Sequence, residues 1–186
     1  MAYSELLYDV SEGIATITIN RPERMNAWTD VLETELRQAI AQAVESRQVR
    51  AIILTGAGRA FCAGTDLKAV VASGGHRSYP PHGYGGIAQR FDCVKPIIAA
   101  VNGLALGGGF ELALACDLII ASDAASFGLP EPLVGAVALG GGVHRLARQI
   151  GQKQALGLIL TSRRIPADEA LRLGIANAVV PAGELD

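Results

Sequence analysis

Residues Asn102 to Asp117 read NGLALGGGFELALACD. Gly107, Gly108 and Gly109 stand directly before a helical pattern running from Phe110 to Cys116. A glycine-rich turn that opens a helix leaves backbone N–H groups without intrahelical partners at the positive end of the helix dipole. Such a place binds an anion, or an oxyanion that forms only in a transition state. The same glycines equally allow a helix to sit tightly on a strand, and this stretch alone does not choose between the two. Glu111 lies in the first turn, where an acid ordinarily pairs with the dipole. Its neighbours Phe110, Leu112, Ala113 and Leu114 predict partial burial, which raises a carboxyl pKa and poises it for proton transfer. The dipole pulls the other way, so the net shift stays open.

Outward from this stretch, short apolar segments alternate with helical ones. Glu12-Gly13 opens Ile14 to Asn20, where Ala15, Ile17 and Ile19 alternate with Thr16 and Thr18. That period of two predicts a half-buried strand, ended by Arg21-Pro22. Asp30 to Ser46 places Leu32, Leu36, Ala39, Ile40, Ala43 and Val44 on one helical face, with Asp30 and Glu33 spaced as a capping box. Val49–Thr55, Pro96–Val101 and Leu118–Ala121 read as further strands, ended by Gly56-Ala57-Gly58, Asn102-Gly103 and Ser122-Asp123. Short, nearly all-apolar strands between helices indicate buried, mostly parallel strands in an α/β layered fold. Residues 72–86 carry five glycines and two prolines and read as a mobile loop. Arg145 to Leu160 and Ala167 to Leu173 read as helices, punctuated by Pro166 and Gly174.

The chain has 186 residues, 50% hydrophobic and 18% charged, with a formal net charge of −2. That suits one domain, 1–186, burying on the order of 70% of its unfolded surface without help from disulfides or metals. The apolar fraction excludes disorder. The mildly acidic balance argues against a nucleic-acid partner, though not against a local basic patch for a phosphorylated ligand. Cys62, Cys93 and Cys116 are odd in number and widely spaced, so they indicate neither a zinc site nor a disulfide framework, and read as reduced cytoplasmic thiols. The N-terminal MAYSELLYDVSEG has no apolar core and is acidic, unlike a secretory or transit signal. No apolar run reaches the roughly 18 residues that a bilayer demands, so no membrane association is expected.

A second carboxylate, Glu131, stands between Pro130 and Pro132 in SFGLPEPLVG. The prolines fix φ on both sides and are expected to hold the backbone out of helix, aiming this acid in a set direction. A rigid carboxylate among Phe127, Leu129, Leu133 and Val134 is costly unless paired or used; a turn acid facing water is the plainer alternative. A third glycine-rich segment, Gly56 to Leu67, reads GAGRAFCAGTDL and matches neither the dinucleotide nor the P-loop spacing, yet it is able to present amides at Thr65 and Asp66. His76, His82 and His144 have no metal-ligand spacing, and no GxSxG elbow exists. Arg145, Arg148 and Lys153 read as a solvated helix face.

GAGRAFCAGTDLK, AAVNGLALGGGFELALACDLIIAS and FGLPEPLVGAVALGGGVHRLARQIG, in that order and spacing, resemble the crotonase (enoyl-CoA hydratase/isomerase) superfamily. The likeness runs from about Leu6 to the chain end; NRPERMNAW and TSRRIPADEALRLGIANAVVP fit the same pattern. It implies a crotonase-like (ClpP/crotonase) α/β fold, of repeated β-β-α units with roughly perpendicular sheets and surrounding helices. It implies acyl-CoA thioester substrates, no separate cofactor, no metal, and homotrimeric or hexameric assembly. It assigns an oxyanion hole to the amides of Thr65 and Gly108, which bind the thioester oxygen as it becomes enolate-like. It assigns Glu111 and Glu131 as the pair that holds one water, Glu111 mainly as the base for attack at C3 and Glu131 as the donor to C2, with roles reversed in dehydration. Around coenzyme A it places Arg24, Ala63, Thr65, Asp66, Leu67 and Lys68.

Retention of both glutamates favours an enoyl-CoA hydratase. GGGFELALACD also resembles carnitinyl-CoA dehydratases, so that reaction or isomerisation is the alternative, and a non-catalytic or RNA-binding relative the third. Two departures border the acyl pocket: Ala138 stands where the family commonly has proline, and Pro132 follows Glu131. The chain ends at Asp186, before the C-terminal helices that cover the CoA site and mediate trimer contacts in the family, and reads as lacking that segment.

Overall fold

The computed structural model describes residues 3–66 and 82–185. Its first sheet has six strands in the order β1-β2-β3-β5-β7-β10, and its second has four, β4-β6-β8-β9. The strands are β1 (Leu6–Ser11), β2 (Ile14–Ile19), β3 (Ala51–Gly56), β4 (Ala60–Cys62), β5 (Ile97–Val101), β6 (Leu104–Leu106), β7 (Leu118–Ser122), β8 (Ser126–Gly128), β9 (Ile165–Pro166) and β10 (Ala178–Val180). Pairing is parallel along β2, β3, β5, β7 and β10, and along β4, β6 and β8. The expected mostly parallel α/β architecture is therefore present.

Three times the chain leaves a strand of the large sheet and enters a short strand of the small one: β3 to β4, β5 to β6, β7 to β8. The β5–β6 turn shows why Asn102-Gly103 stands there. Asn102 Nδ2 donates to Gly58 O at 2.8 Å, and its Oδ1 accepts from Gly56 N at 3.2 Å. A Cβ on Gly103 would collide with the Arg59 carbonyl. The repeat thus rests on backbone approaches that a larger residue would block.

Alternation in β2 buries Ala15, Ile17 and Ile19 completely while Thr16 and Thr18 stay partly exposed. Glu12 and Gly13 both have positive φ, at 51° and 84°. They close a two-residue hairpin that pairs β1 antiparallel to β2, from Leu6 opposite Ile19 to Ser11 opposite Ile14. Helix α1 (Asp30–Glu45) buries Leu32, Leu36, Ala39, Ile40 and Ala43, the expected face. Its cap differs from the expected box: Thr29, not Asp30, is the N-cap, its Oγ1 accepting from Leu32 N at 3.0 Å. The Glu33 carboxylate accepts from Trp28 Nε1 at 3.0 Å and from the Gly85 amide at 3.1 Å.

Among the described residues the other α-helices are α2 (Gly108–Ala115), α3 (Gly142–Ile150), α4 (Gln152–Thr161) and α5 (Ala167–Arg172). The single helix expected from Arg145 to Leu160 is two, broken at Gly151, whose φ of 84° no α-helix contains. Arg145 also departs from the expected solvated face. It is half-buried, and its guanidinium donates to the Ala88 carbonyl at 2.9 Å, whereas Arg148 and Lys153 are exposed. Cys62, Cys93 and Cys116 are free thiols.

Asn26 ties the loop after β2 to the β3–β4 corner. It is fully buried with φ 56°; its Oδ1 accepts from Arg21 N at 2.8 Å, and its Nδ2 donates to Ala57 O at 3.0 Å and Ala60 O at 2.6 Å. Asn26→Ala removes three hydrogen bonds to backbone groups and leaves Ala60 O with Asn102 Nδ2 alone, at 3.2 Å, for a cost of about 2–4 kcal/mol. Thermal unfolding followed by circular dichroism is expected to show a midpoint about 5–15 °C lower than the parent.

Candidate active site

Gly107, at φ 53°, caps α2, and the first intrahelical bond is Glu111 N to Gly107 O at 3.0 Å. The amides of Gly108, Gly109 and Phe110 precede that bond and have no intrahelical acceptor. A Cβ on Gly109 would collide with the Cys62 carbonyl of β4. Gly109 thus seats the helix on a strand, the packing reading of the triplet, while Gly107 and Gly108 line a cavity of about 470 Å³.

Glu111 faces this cavity from α2 and is only 5% exposed. Its Oε1 accepts the Gly142 amide at 2.9 Å, at the start of α3. Burial pushes its pKa up to about 7; the charge of Glu131 adds to the rise, and the amides of Gly140, Gly141 and Gly142 oppose it. The net sign left open by the sequence is thus upward, because desolvation outweighs the amides.

Glu131 enters the same cavity from the segment after β8. The flanking prolines do not keep it out of helix, as expected, but start a single 3₁₀ turn, Glu131–Val134, with the Pro130 carbonyl accepting from Leu133 N at 3.0 Å. Proline fits the first turn of a helix because its missing N–H has no partner there. The side chain is half-buried, and a Cβ on Gly107 would stand 2.9 Å from its Oε1. Its Oε2 is buried and makes no hydrogen bond among the described residues. Burial raises its pKa also. Two carboxyls whose pKa values burial raises share one cavity, which makes the pair a candidate for proton transfer.

The segment after β4 supplies the third wall. Gly64 has φ 89°, and a Cβ there would lie 2.7 Å from Leu106 O and 3.5 Å from Gly108 N. Thr65 and Gly108 are thereby brought to one side of the cavity, together with Ala63. The amide of Asp66, expected from sequence to be available, is instead donated to the Trp28 carbonyl at 3.0 Å, and the Ala63 amide goes to Met25 O at 3.0 Å. The Asp66 carboxylate lies 3.7 Å from Arg21 and outside the cavity lining. Arg24 is exposed in the 3₁₀ turn Pro22–Arg24, beside Met25, and does not line the cavity. Leu67 and Lys68 lie outside the described residues, as does His76.

Sequence reasoning missed two parts of the lining. Tyr84 belongs to the stretch read as a mobile loop. Residues 72–81 of it lie outside the described residues, but Tyr84, Gly85 and Gly86 form a buried 3₁₀ turn. No local pattern announces this; the reason is tertiary, the Glu33 contact and the stacking of Tyr84 on Trp28 at 4.5 Å. The other part is an apolar wall of Leu133, Val134, Val137 and Leu139, exposed by 74%, 63%, 59% and 70% respectively. Four exposed aliphatic side chains in seven residues form the kind of patch that binds an apolar ligand group.

A profile of the family described as enoyl-CoA hydratase/isomerase matches residues 9–186. A probable enoyl-CoA hydratase of Rhizobium meliloti (strain 1021) is 42% identical over 185 residues, covering 100% of this chain and 72% of the relative. The carnitinyl-CoA dehydratase of Proteus mirabilis (strain HI4320) is 43% identical, over 98% of this chain and 70% of its own length. Among solved structures, a carnitinyl-CoA dehydratase from Mycobacterium avium 104 superposes with a TM-score of 0.90 at 44% identity, covering 97% of this chain and 72% of that one. An enoyl-CoA hydratase from Mycobacterium tuberculosis H37Rv gives 0.90 at 41% identity, covering 97% and 71%.

Proposed function

Because the chain belongs to the enoyl-CoA hydratase/isomerase family of crotonase-fold enzymes, we propose that it catalyses reversible addition of water across the double bond of a 2-enoyl-CoA thioester. The observation that carries this reading is the pair Glu111 and Glu131, both half-buried or more, both raised in pKa, in one cavity with the Thr65 and Gly108 walls.

The thioester oxygen binds between the amides of Thr65 and Gly108, which stabilise the enolate-like charge that develops as C3 is attacked. Glu111 accepts a proton from water as its oxygen bonds to C3, and Glu131 gives a proton to C2. Glu111 ends protonated and Glu131 ionised, so one proton transfer across the pair restores the start. In dehydration the roles reverse: Glu111 protonates the leaving hydroxyl while Glu131 removes the C2 proton. Dehydration of a 3-hydroxyacyl-CoA such as carnitinyl-CoA is therefore the second reading within the same chemistry, in keeping with the similarity to carnitinyl-CoA dehydratases. The acyl chain lies against Leu133, Val134, Val137 and Leu139.

Arg24, Ala63, Leu67 and Lys68 are proposed to border coenzyme A, Arg24 as an exposed cation toward phosphate. Asp66 would take part by its position alone, since its amide and carboxylate are engaged. No further cofactor is needed by this reaction. The same reading includes trimeric or hexameric assembly, checked by light scattering, and a cytoplasmic location. The described residues contain no helix long and apolar enough to cross a membrane.

The test is loss of the conjugated absorbance of crotonyl-CoA with product mass, alongside crotonobetainyl- and 3-enoyl-CoA. Glu131→Gln is expected to lower kcat at least about 10³-fold with KM within a few-fold, since the lost group acts only on the proton in flight. Normal turnover in that variant would refute the assignment.

A further inference from the structure

We propose that the Tyr84 phenol is a third hydrogen-bond donor to the substrate's thioester oxygen, alongside the two backbone amides. The proposal rests on the acyl-thioester reading above and goes beyond it by adding a side chain to the oxyanion site. Tyr84 lines the same cavity as Thr65 and Gly108. A Cβ on Gly108 would collide with the Tyr84 hydroxyl, so that oxygen sits directly over the Gly108 Cα. A Cβ lies about 2.5 Å from its own nitrogen, which puts the phenol oxygen within about 5 Å of the Gly108 amide. Two donors that each approach one acceptor to about 2.9 Å stand about 4–5 Å apart. The upper limit of about 5 Å is compatible with one acceptor shared by the two groups.

The ring is held for this task. It packs on Trp28 at a centroid distance of 4.5 Å and an interplanar angle of 30°. Glu33 fastens both neighbours, accepting from Trp28 Nε1 at 3.0 Å and from Gly85 N at 3.1 Å. Arg90 Nε donates to Gly86 O at 3.1 Å, and Arg145 holds the Ala88 carbonyl at 2.9 Å. A donor fixed before the substrate arrives costs little reorganisation as charge develops, which is what makes such a group effective. Gly108 fits the same account: any side chain there would displace the hydroxyl.

The experiment reads carbonyl polarisation directly. A conjugated acyl thioester such as 2,4-hexadienoyl-CoA is bound to the full chain, and the red shift of its absorption is measured with and without Tyr84→Phe. The proposal expects a clear shift with the parent protein, a markedly smaller one in Tyr84→Phe, and a kcat for crotonyl-CoA about tenfold or more lower with KM within about threefold. The fluorescence of Trp28, the sole tryptophan, verifies that the ring stack survives. Placing the isosteric but more acidic 3,5-difluorotyrosine at position 84 is expected to enlarge the shift. An undiminished shift in Tyr84→Phe overturns the Tyr84 assignment alone. Absence of any shift with the parent protein overturns the acyl-thioester reading itself. Should Tyr84→Phe fold poorly, the fluorinated residue decides: a shift that does not grow refutes the proposal.

Discussion

Glu111→Gln is expected to hydrate crotonyl-CoA at least about 10³-fold more slowly and yet to unfold at a higher temperature than the parent at pH 8. The first half follows from losing the group that exchanges a proton with water. The second follows from linkage. The folded pKa of Glu111 is about 7, above the roughly 4.3 of an unfolded glutamate. The folded state then binds the proton more tightly than the unfolded one, so stability falls as pH rises from about 4.3 to 7 and stays low above that. The displacement corresponds to a penalty of about 3–4 kcal/mol at pH 8, and glutamine, uncharged and nearly isosteric, removes it while keeping an oxygen for the Gly142 amide. Melting curves at pH 5 and pH 8 check this. The gap between variant and parent should be smaller at pH 5, where only about 1 kcal/mol of the penalty has developed, and widen by several degrees at pH 8. A variant that melts no higher at pH 8 would mean that the carboxylate is not held against its solvation preference.

Gly109→Ala has the other large effect, and it falls on the fold and the site together. The added methyl would meet the Cys62 carbonyl oxygen, and the Cys62 Cβ 2.8 Å away; both belong to β4 and cannot swing aside. Relief requires α2 to lift from the small sheet, which carries Gly108 and Glu111 with it. A destabilisation of about 3 kcal/mol or more and a collapse in soluble yield are expected, with hydration lost in any folded fraction. Gly157→Ala is the matched control. It lies inside α4 with nothing within 4 Å of its would-be Cβ, and alanine there should stabilise by about 0.5–1 kcal/mol. Equal stability of the two variants in urea titrations would contradict the close seating of α2.

Much of this was legible in the residues because local chemistry left a mark. The alternation Ala15, Ile17, Ile19, the α1 face and the Gly107–Gly109 triplet each map directly onto observed elements. What escaped has no local mark. Strands β4, β6 and β8 are three residues each, too short for a period to register. The break at Gly151 hides in a sequence whose apolar spacing continues on both sides. Tyr84 looks like part of a Gly-Pro loop until Trp28 and Glu33, more than fifty residues earlier, fix it. At the site, Glu111 and Gly108 could be read from one helix start. That the Asp66 amide is consumed depends on Trp28, which its own neighbours do not reveal.

The amide that grips Glu111 begins the helix which directly follows the apolar wall of residues 133–139. On the proposed reading, one continuous backbone run thus touches both the acyl wall and the carboxyl of Glu111, whose proton affinity burial raises and the Gly142 amide tempers. A redesign that widens the wall by lengthening this run would shift Gly142 and with it the proton affinity of Glu111. Substrate scope and pH optimum in this scaffold are therefore expected to change together.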